Sequence, residues 1–316
     1  MSSVAAYSLY VPTWTYAGKS VPGFDEDDFT MIVEAGQKIV SLLKEPTTLL
    51  VVAGDFSMGQ DVELACGFQV SEKAEVTSFQ EALPKAQEHV DRTGEGAMVL
   101  GTEDSTLGRI SYGLLFGSQP GHEAEGLQEK SAYEAIVAIR LDLGEGPIPK
   151  GPSLPLSEER HAAQSRFTHG VFPYAEIPTG AYISEPLYLL GLDQRYRLLG
   201  NQCKHCSTRF YPQKPFCRKC GGTELKPFRF GPGAEVYSYA AIGKGAAPTE
   251  FAPQQDLFGD YVVAVVALEG GARISAQLTE VDPYGVAVGM KLAPTVRYLY
   301  RQEGKKRYGL KFKPAL

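Results

Sequence analysis

Short apolar runs alternate with amphipathic stretches through the first 140 or so residues. Helices are predicted from an acidic start at Asp25–Asp28 to about Lys44, and from near Phe79 through Val90. Four apolar runs have the length of strands: Tyr7–Pro12, Thr48–Gly54, Ala97–Gly101 and Ala135–Leu141. Continuous apolar strands between helices are typical of a parallel sheet covered on both faces, so residues 1–143 are predicted to form an α/β domain.

Glycine and proline then interrupt the pattern from 144 to 186, which predicts a linker that lies along another surface. Helical spacing returns at Leu187–Leu199. Four strands are predicted after it: Ala234–Ala241, Tyr261–Leu268, Arg273–Leu278 and Lys291–Tyr300. Short strands separated by Gly and Pro turns favour a small closed β-barrel of the OB type over 231–316, preceded by a helix and metal-binding segment over 187–230.

The composition is that of a globular chain, with 43% hydrophobic and 22% charged residues among 316. No apolar run approaches the length of about 20 residues that spans a membrane, and no basic N-terminal region precedes an apolar stretch. We therefore expect a cytoplasmic protein without a membrane partner.

The net charge of -6 conceals an asymmetry. Residues 1–140 carry 9 Lys and Arg against 21 Asp and Glu, whereas residues 195–316 carry 19 against 9. The basic C-terminal part would attract nucleic acid, a phosphorylated cofactor such as coenzyme A, or the acidic face of a partner, because each supplies negative charge. Charge alone does not choose among them.

Four of the five cysteines form two C-x-x-C pairs: Cys203, Cys206, Cys217 and Cys220. Two such turns close a tetrahedron of thiolates, which predicts a structural zinc site with no open position for substrate. A redox dithiol or coincidence is the lesser alternative because redox chemistry needs one pair only, and iron in a rubredoxin-like site remains open. His205 is predicted to be a surface or supporting residue.

The C-terminal part resembles the zinc-ribbon plus OB-fold family known as domain of unknown function thirty-five. The resemblance covers about 185–316 and rests on these segments: Leu198–Cys203, Phe210–Pro212, Phe216–Cys217, Gly231–Ser238, Tyr261–Leu268 and Val288–Met290. Members of that family assist thiolases, hydroxymethylglutaryl-CoA synthases, steroid side-chain aldolases or hydratases. The resemblance implies a place in acyl-CoA carbon–carbon bond chemistry.

The N-terminal part more faintly resembles the start of a hydroxymethylglutaryl-CoA synthase or thiolase. This resemblance rests on four segments: Tyr7–Pro12, Gly23–Asp27 with the following helix, Ala74–Val90 and Met98–Asp104. The nucleophilic cysteine of such enzymes would fall within Glu75–Gln80, where this chain has none.

Cys66 lies too early and is interpreted as a small buried residue. His89, His122, His161 and His169 show no motif that pairs with Cys66 and are interpreted as surface or loop residues. No catalytic residue is therefore assigned, and the N-terminal part is predicted to be a degenerate thiolase-like half domain.

These observations favour a non-catalytic accessory subunit of a thiolase-type complex, with a coenzyme A thioester as the substrate of the complex and a heterotetramer as the expected assembly. Benzoylsuccinyl-CoA thiolase and the steroid aldolases are examples of such complexes. The alternative is a nucleic-acid-binding module, since residues 195–229 hold nine Lys and Arg against Glu224 alone. The negative thiolates lie beside those cations, so nucleic acid is the less favoured partner. A self-sufficient acyltransferase that uses Cys66 is the least favoured hypothesis.

Overall fold

The computed structural model describes residues 3–23, 25–43, 46–53, 62, 65–117, 122–123, 127, 129–145, 148, 153–162, 183–302 and 305–315. The chain divides into two compact units, Met1–Leu156 and Ser157–Leu316. None of the helices in these described ranges combines the length and the apolar character that a membrane crossing requires.

The first unit is built on a mixed sheet. Its strands in the described residues are β1 Ser3–Tyr10, β2 Trp14–Tyr16, β3 Lys19–Ser20, β4 Thr47–Ala53, β5 Glu72–Val76, β6 Gly96–Ser105, β7 Gly108–Gly117, β8 His122–Glu123 and β9 Leu154–Pro155. The central order is β5-β4-β6-β7, with β1 on the far side of β7. β4 runs parallel to β5 and β6, whereas β7 is antiparallel to β6 and β1.

Helices cover both faces of this sheet. They are α1 Asp28–Val40, α2 Phe79–Thr93 and α3 Ala132–Asp142. α2 and α3 share one core with alternate residues of β4, namely Leu49, Val51 and Ala53. α1 packs against β1, β6 and β7. The predicted α/β architecture is therefore confirmed.

Two expectations for this unit were wrong. The sheet is not wholly parallel because β6 and β7 are joined by a tight hairpin at Ser105–Gly108, and so short a connection joins antiparallel strands only. The apolar run Ala135–Leu141 is helical rather than extended. Ser131 and Glu134 form a capping box there, with Ser131 N donating to Glu134 Oε2 at 3.0 Å and Glu134 N to Ser131 Oγ at 3.2 Å.

The second unit has a short helical segment at 158–162 and, from 183 on, two short helices, α4 Glu185–Leu190 and α5 Leu192–Arg197. A three-stranded antiparallel sheet follows them. That sheet has the order β11-β10-β12. Its strands are β10 Leu199–Cys203, β11 Arg209–Phe210 and β12 Leu225–Arg229. The predicted helical spacing over Leu187–Leu199 corresponds to α4 and α5.

A five-stranded β-barrel completes the unit, in the order β15-β14-β13-β16-β17. The strands are β13 Ala234–Ile242, β14 Tyr261–Leu268, β15 Arg273–Gln277, β16 Lys291–Gln302 and β17 Lys305–Pro314, and helix α6 is Ala252–Phe258. A bridge between Leu278 and Phe312 nearly closes the barrel, and Thr279 N donates to Phe312 O at 2.9 Å. The four predicted strands are confirmed, while β17 and α6 were not foreseen.

Candidate metal centre

The four predicted metal ligands come from two knuckles, Cys203–Ser207 and Cys217–Gly221. The first knuckle follows directly from β10, whose last residue Cys203 is paired with Leu225 of β12. The second lies on the connection between β11 and β12. Antiparallel pairing of these strands brings the two knuckles together, so the chain itself assembles the site.

Both knuckles have the same hydrogen-bond pattern. The amide four residues after the first cysteine donates back to its carbonyl: Ser207 N to Cys203 O at 3.0 Å, and Gly221 N to Cys217 O at 2.9 Å. The residue that makes this turn has a positive φ in each case, 56° at Ser207 and 74° at Gly221. Glycine adopts this conformation readily and serine does so at a cost, so Gly221 is the unstrained version of the turn.

The sulfurs converge on one point. All four Sγ atoms lie within 4.8 Å of one another, with Cys203 to Cys220 at 3.6 Å and Cys206 to Cys217 at 3.4 Å. Four sulfurs placed about 2.3 Å from a tetrahedral zinc ion are separated by about 3.8 Å, so the observed distances fit such an ion. The four cysteines are thus positioned to bind a metal.

Two thiols of the cluster, Cys206 and Cys220, have pKa values shifted in opposite directions by their neighbours. Hydrogen bonds from the side chain and backbone of Thr208 lower the pKa of Cys206 to about 6. At Cys220 the Gly222 backbone lowers the pKa, but the three neighbouring sulfurs outweigh it and raise the pKa to about 12. Neighbouring thiolates repel one another, and a divalent cation among them removes that repulsion. This donor set therefore suits a divalent metal ion.

The ribbon sheet holds the knuckles rigidly. Asn201 fixes the loop before the second knuckle, with Nδ2 donating to Lys214 O at 2.7 Å and Oδ1 accepting from Lys214 N at 3.3 Å. Gly200 allows the strands to approach, because a Cβ there would lie 2.1 Å from Phe210 O and 2.7 Å from Phe230 Cε2. Gly200 and Asn201 lie within Leu198–Cys203, one of the segments that carry the family resemblance, but no pattern in the sequence indicated their individual roles.

His205 is exposed, and its ring lies against Gly222, where a Cβ would be 2.9 Å from His205 Cδ2. It is not among the four grouped ligands. This arrangement agrees with its predicted role beside the site rather than in it.

Of the other residues considered from the sequence, Cys66, His89 and His122 belong to the first unit. Cys66 is buried as predicted, 1% exposed, and its thiol faces Val33 O at 3.9 Å. Burial raises the pKa of the Cys66 thiol.

The prediction for His89 was wrong, because α2 turns its side chain inward to 3% exposure and Nε2 lies 2.8 Å from Thr48 Oγ1. His161 is half-buried on a short helical segment at 158–162, His122 belongs to β8, and His169 lies outside the described residues.

Comparison with known proteins identifies the families to which the metal-binding segment and the barrel are similar. Residues 192–226 match the family described as "ChsH2, rubredoxin-like zinc ribbon domain", and residues 229–297 match "ChsH2, C-terminal OB-fold domain". A "DUF35 domain-containing scaffold protein" of Methanocaldococcus jannaschii is 34% identical over 126 residues, which is 39% of this chain and 85% of that protein. The chain belongs to the DUF35 family. The predicted zinc ribbon and OB-fold are therefore confirmed.

A more distant relative is a "Probable enoyl-CoA hydratase alpha subunit" of Thermomonospora curvata, 27% identical over 118 residues, or 37% of this chain and 35% of that protein. Among solved structures, the "Ltp2-ChsH2(DUF35) aldolase" overlaps with a TM-score of 0.33 at 25% identity, over 42% of this chain and 98% of the other. "PksG, a HMG-CoA Synthase from Bacillus subtilis" overlaps with a TM-score of 0.31 at 16% identity, over 38% and 40%. Both scores lie below those of chains that share an overall fold.

Proposed function

We propose that this DUF35 chain is a non-catalytic accessory subunit of a thiolase-type complex that makes or breaks carbon–carbon bonds in acyl-CoA thioesters. In this proposal residues 1–143 are a degenerate thiolase-like half domain and 144–186 a linker. The zinc ribbon and OB-fold, over 187–230 and 231–316, contribute to assembly and to acyl-CoA binding. The complex would act like benzoylsuccinyl-CoA thiolase or a steroid aldolase.

The observation that carries the proposal is the order of zinc ribbon and OB-fold, which matches the two ChsH2 domains. Similarity to a DUF35 scaffold protein supports it. A scaffold holds other chains in place, and the hydratase relative places a similar segment in a protein of acyl-CoA chemistry. The names of these relatives therefore support the two parts of the proposal, which are assembly with other chains and a place in acyl-CoA chemistry.

The environment of Cys66 supports placing catalysis in another chain. A nucleophilic cysteine must be accessible and must ionise readily. The thiol of Cys66 is instead packed on α1, where a Cβ at Gly36 would lie 2.4 Å from Sγ. Burial also raises its pKa, so the thiolate is disfavoured.

We infer a structural role for a zinc ion held by Cys203, Cys206, Cys217 and Cys220. All four coordination positions are filled by protein, so the ion would stabilise the ribbon and take no part in the reaction. Elemental analysis should give about one zinc per chain, lost in Cys203→Ser and Cys217→Ser together with folding of the ribbon. The control His205→Ala changes an exposed residue of the same knuckle and should retain the metal. A metal-free chain with an intact, cooperative second unit would contradict this assignment, and iron in place of zinc would identify the rubredoxin alternative.

Assembly is tested by affinity purification of the tagged full-length chain from its source cells. We expect a thiolase-like chain to copurify in equal amount and light scattering to give a heterotetramer, with an interface above about 2,000 Å² if the complex is obligate. Acyl-CoA cleavage or condensation by the purified complex should exceed that of the catalytic chain alone. Separate elution of the two chains at micromolar concentration would refute the assembly, and full activity of the catalytic chain alone would refute the accessory role.

Nucleic-acid binding is the outcome that would replace this function. Two cations of the ribbon are engaged within the unit: Lys204 Nζ lies 3.6 Å from Glu224, and the Arg209 guanidinium stacks 4.2 Å from the centre of the Phe228 ring. The basic surface is thus partly neutralised or covered. An absorbance spectrum dominated by bound nucleic acid, with salt-sensitive affinity, would favour the alternative.

A further inference from the structure

The barrel strand β13 leaves one edge open over its second half. Its pairing with β16 stops after Ala234 and Glu235, whereas its pairing with β14 continues to the end of the strand. All five residues from Tyr237 to Ala241 are exposed, and Tyr237 and Tyr239 are 50% and 43% exposed. In the described part of the chain, the edge of β13 that faces away from β14 is therefore unpaired there and accessible to solvent.

The pairing with β14 shows which backbone groups lie along this edge. Val262 O accepts from Leu278 N at 2.9 Å, so Val262 directs its backbone groups towards the β15 side. Ala264, two residues on, points the same way because backbone groups alternate sides along a strand. The residues of β13 opposite them are Ala241 and Tyr239. Their N–H and C=O groups therefore point away from β14, and these groups have no hydrogen-bond partner among the residues that the structure describes.

The open edge of β13 lacks the protection that other edges of this chain have. An unpaired edge attracts further strands, so proteins protect such edges with charges or proline. β5, at the end of the large sheet, carries exposed Glu72 and Lys73, and β12 of the ribbon carries exposed Lys226 and Pro227. The open part of β13 reads Tyr-Ser-Tyr-Ala-Ala, without charge or proline. A bulge precedes Ser238, and the residues after it pair regularly with β14, so the edge keeps the shape that strand pairing requires.

We propose that this open edge binds a second copy of the chain, strand against antiparallel strand, around a twofold axis at Ala240. The inference goes beyond the proposed function and does not rest on it. In this register Tyr239 of each copy lies opposite Ala241 of the other, and each such pair exchanges two hydrogen bonds. The backbone groups that the edge leaves open at these two residues are then all used.

The side chains of the edge complement themselves in the same register. Ala240 directs its backbone groups to β14, so at the axis it faces Ala240 of the second copy as a non-hydrogen-bonded pair, with Cα atoms about 4.5 Å apart. So close an approach suits a small residue. On the other face of the strand the large side chain of Tyr239 lies opposite the small one of Ala241. The order large-small-small therefore matches its own reverse, which favours a second copy over an unrelated strand.

Charge and symmetry also favour a second copy. The charged side chains beside the edge are engaged within each copy: Lys291 Nζ lies 2.6 Å from Glu235 Oε2, and Arg273 Cζ lies 3.5 Å from the centre of the Tyr237 ring. Pairing therefore brings no free charges of like sign together at the edge. A twofold contact uses the same surface on both copies, which is the commonest arrangement in homo-oligomers.

Sedimentation velocity of the full chain, at concentrations from micromolar to millimolar, tests the pairing. Because the contact is short, we expect a reversible monomer–dimer equilibrium with a dissociation constant of about 100 µM. Ala241→Pro removes the amide hydrogen that points to the open edge, a position at which a monomer tolerates proline. Its melting temperature should stay close to that of the wild type, while the dissociation constant rises at least about tenfold. The control Ala241→Ser keeps the amide hydrogen and should change the constant by less than about threefold.

Ala240→Lys is the second variant, and it decides if Ala241→Pro does not fold. It keeps every amide hydrogen and changes an exposed side chain, but it places two like charges opposite each other across the axis. This variant should remain monomeric at millimolar concentration. The control Ser275→Lys adds the same charge at an exposed position of β15, away from the edge, and should dimerise like the wild type.

Disulfide cross-linking tests the register. Ala240→Cys places two thiols opposite each other at a Cα separation of about 4.5 Å, which a disulfide spans. The control Ser238→Cys lies on the same strand and the same face, but four residues separate it from the position opposite its own copy, or about 13 Å along the strand. In a glutathione redox buffer Ala240→Cys should give a covalent dimer, whereas Ser238→Cys and the wild type should not.

The pairing is refuted if the wild type is monomeric at millimolar concentration, if Ala240→Lys dimerises like the wild type, or if Ser238→Cys cross-links as readily as Ala240→Cys. A monomeric chain whose residues 237–241 become protected from hydrogen exchange on binding another subunit would make that subunit the occupant and overturn the second copy. Loss of self-pairing would leave the accessory role untouched. A chain that pairs with itself but copurifies with no thiolase-like subunit would retain the pairing and lose the proposed function.

Discussion

The buried ion pair of the barrel offers a direct test of how burial governs electrostatic stability in this chain. Arg297 is fully buried, the Glu280 side chain is 6% exposed, and Nη2 lies 2.6 Å from Oε1. Lys313 Nζ is 3.7 Å from the same oxygen. Glu280→Gln retains the shape and an acceptor oxygen but removes the one charge that faces two cations.

The expected cost follows from that burial. Neutralising one partner of a buried pair destabilises by about 3–5 kcal/mol, because the remaining charge stays in a poorly solvated site. The barrel also contains a matched control, Glu235→Gln. Lys291 and Glu235 approach to the same 2.6 Å, but their side chains are 74% and 46% exposed. Exposed pairs contribute about 0–1 kcal/mol, so the control should lose no more than that.

Urea unfolding is the suitable assay, because guanidinium would screen the charges that are being compared. Far-ultraviolet circular dichroism follows the whole chain. Trp14, the single tryptophan, belongs to the first unit, and its fluorescence should report an unchanged transition in both variants. Equal losses in Glu280→Gln and Glu235→Gln would refute the argument, as would a loss below about 1 kcal/mol in Glu280→Gln.

Three further substitutions test other parts of the fold. Gly200→Ala places its Cβ 2.1 Å from Phe210 O, so urea unfolding should show a loss of about 1–3 kcal/mol with weaker metal retention, whereas Gly243→Ala, with nothing within 4 Å, should be nearly neutral. Glu103 accepts from the Ala132 and Tyr133 amides, and burial above all raises its pKa. Its stabilisation is therefore present below the unfolded-state pKa and lost as pH rises through the raised folded-state value. The stability of wild type relative to Glu103→Gln should fall as the pH is raised from acid towards neutral, and a constant difference would contradict this. Cys66→Ser should leave the activity of an assembled complex within a few-fold of wild type, and a loss of about 10⁴, or an acyl group on Cys66, would show that the thiol is catalytic after all.

The metal ligands were predictable because their information is local. Each C-x-x-C turn positions two sulfurs by itself, and only the meeting of the two turns depends on the strands between them. The strands of the barrel were predictable for a similar reason, since alternation over Tyr261–Leu268 is visible within eight residues. A local pattern was sufficient to predict each of these features from the sequence.

The errors arose where a local signal was overlooked or where none exists. α3 carries a readable capping box at Ser131 and Glu134, which outweighs the β-branched residues that favoured a strand. β17 alternates lysine with apolar residues, a period-two pattern that was present but not used. In contrast, nothing in the sequence brings Arg307 near Tyr188. That contact, with Cζ of Arg307 4.6 Å from the ring centre, depends on packing between segments more than 100 residues apart, which periodicity does not encode.

The two knuckles present their sulfurs unequally to solvent. The first cysteine of each, Cys203 and Cys217, is buried, while Cys206 is half-buried and Cys220 exposed. A chelator, an oxidant or a metal-donating thiol arriving from solution therefore meets the second cysteine of each knuckle first. Exchange of a bound ion would begin on that side, with the ion still held by the inner pair. If the four cysteines bind an ion, the outer pair would govern how fast it enters or leaves, and the inner pair how long a partly released ion stays.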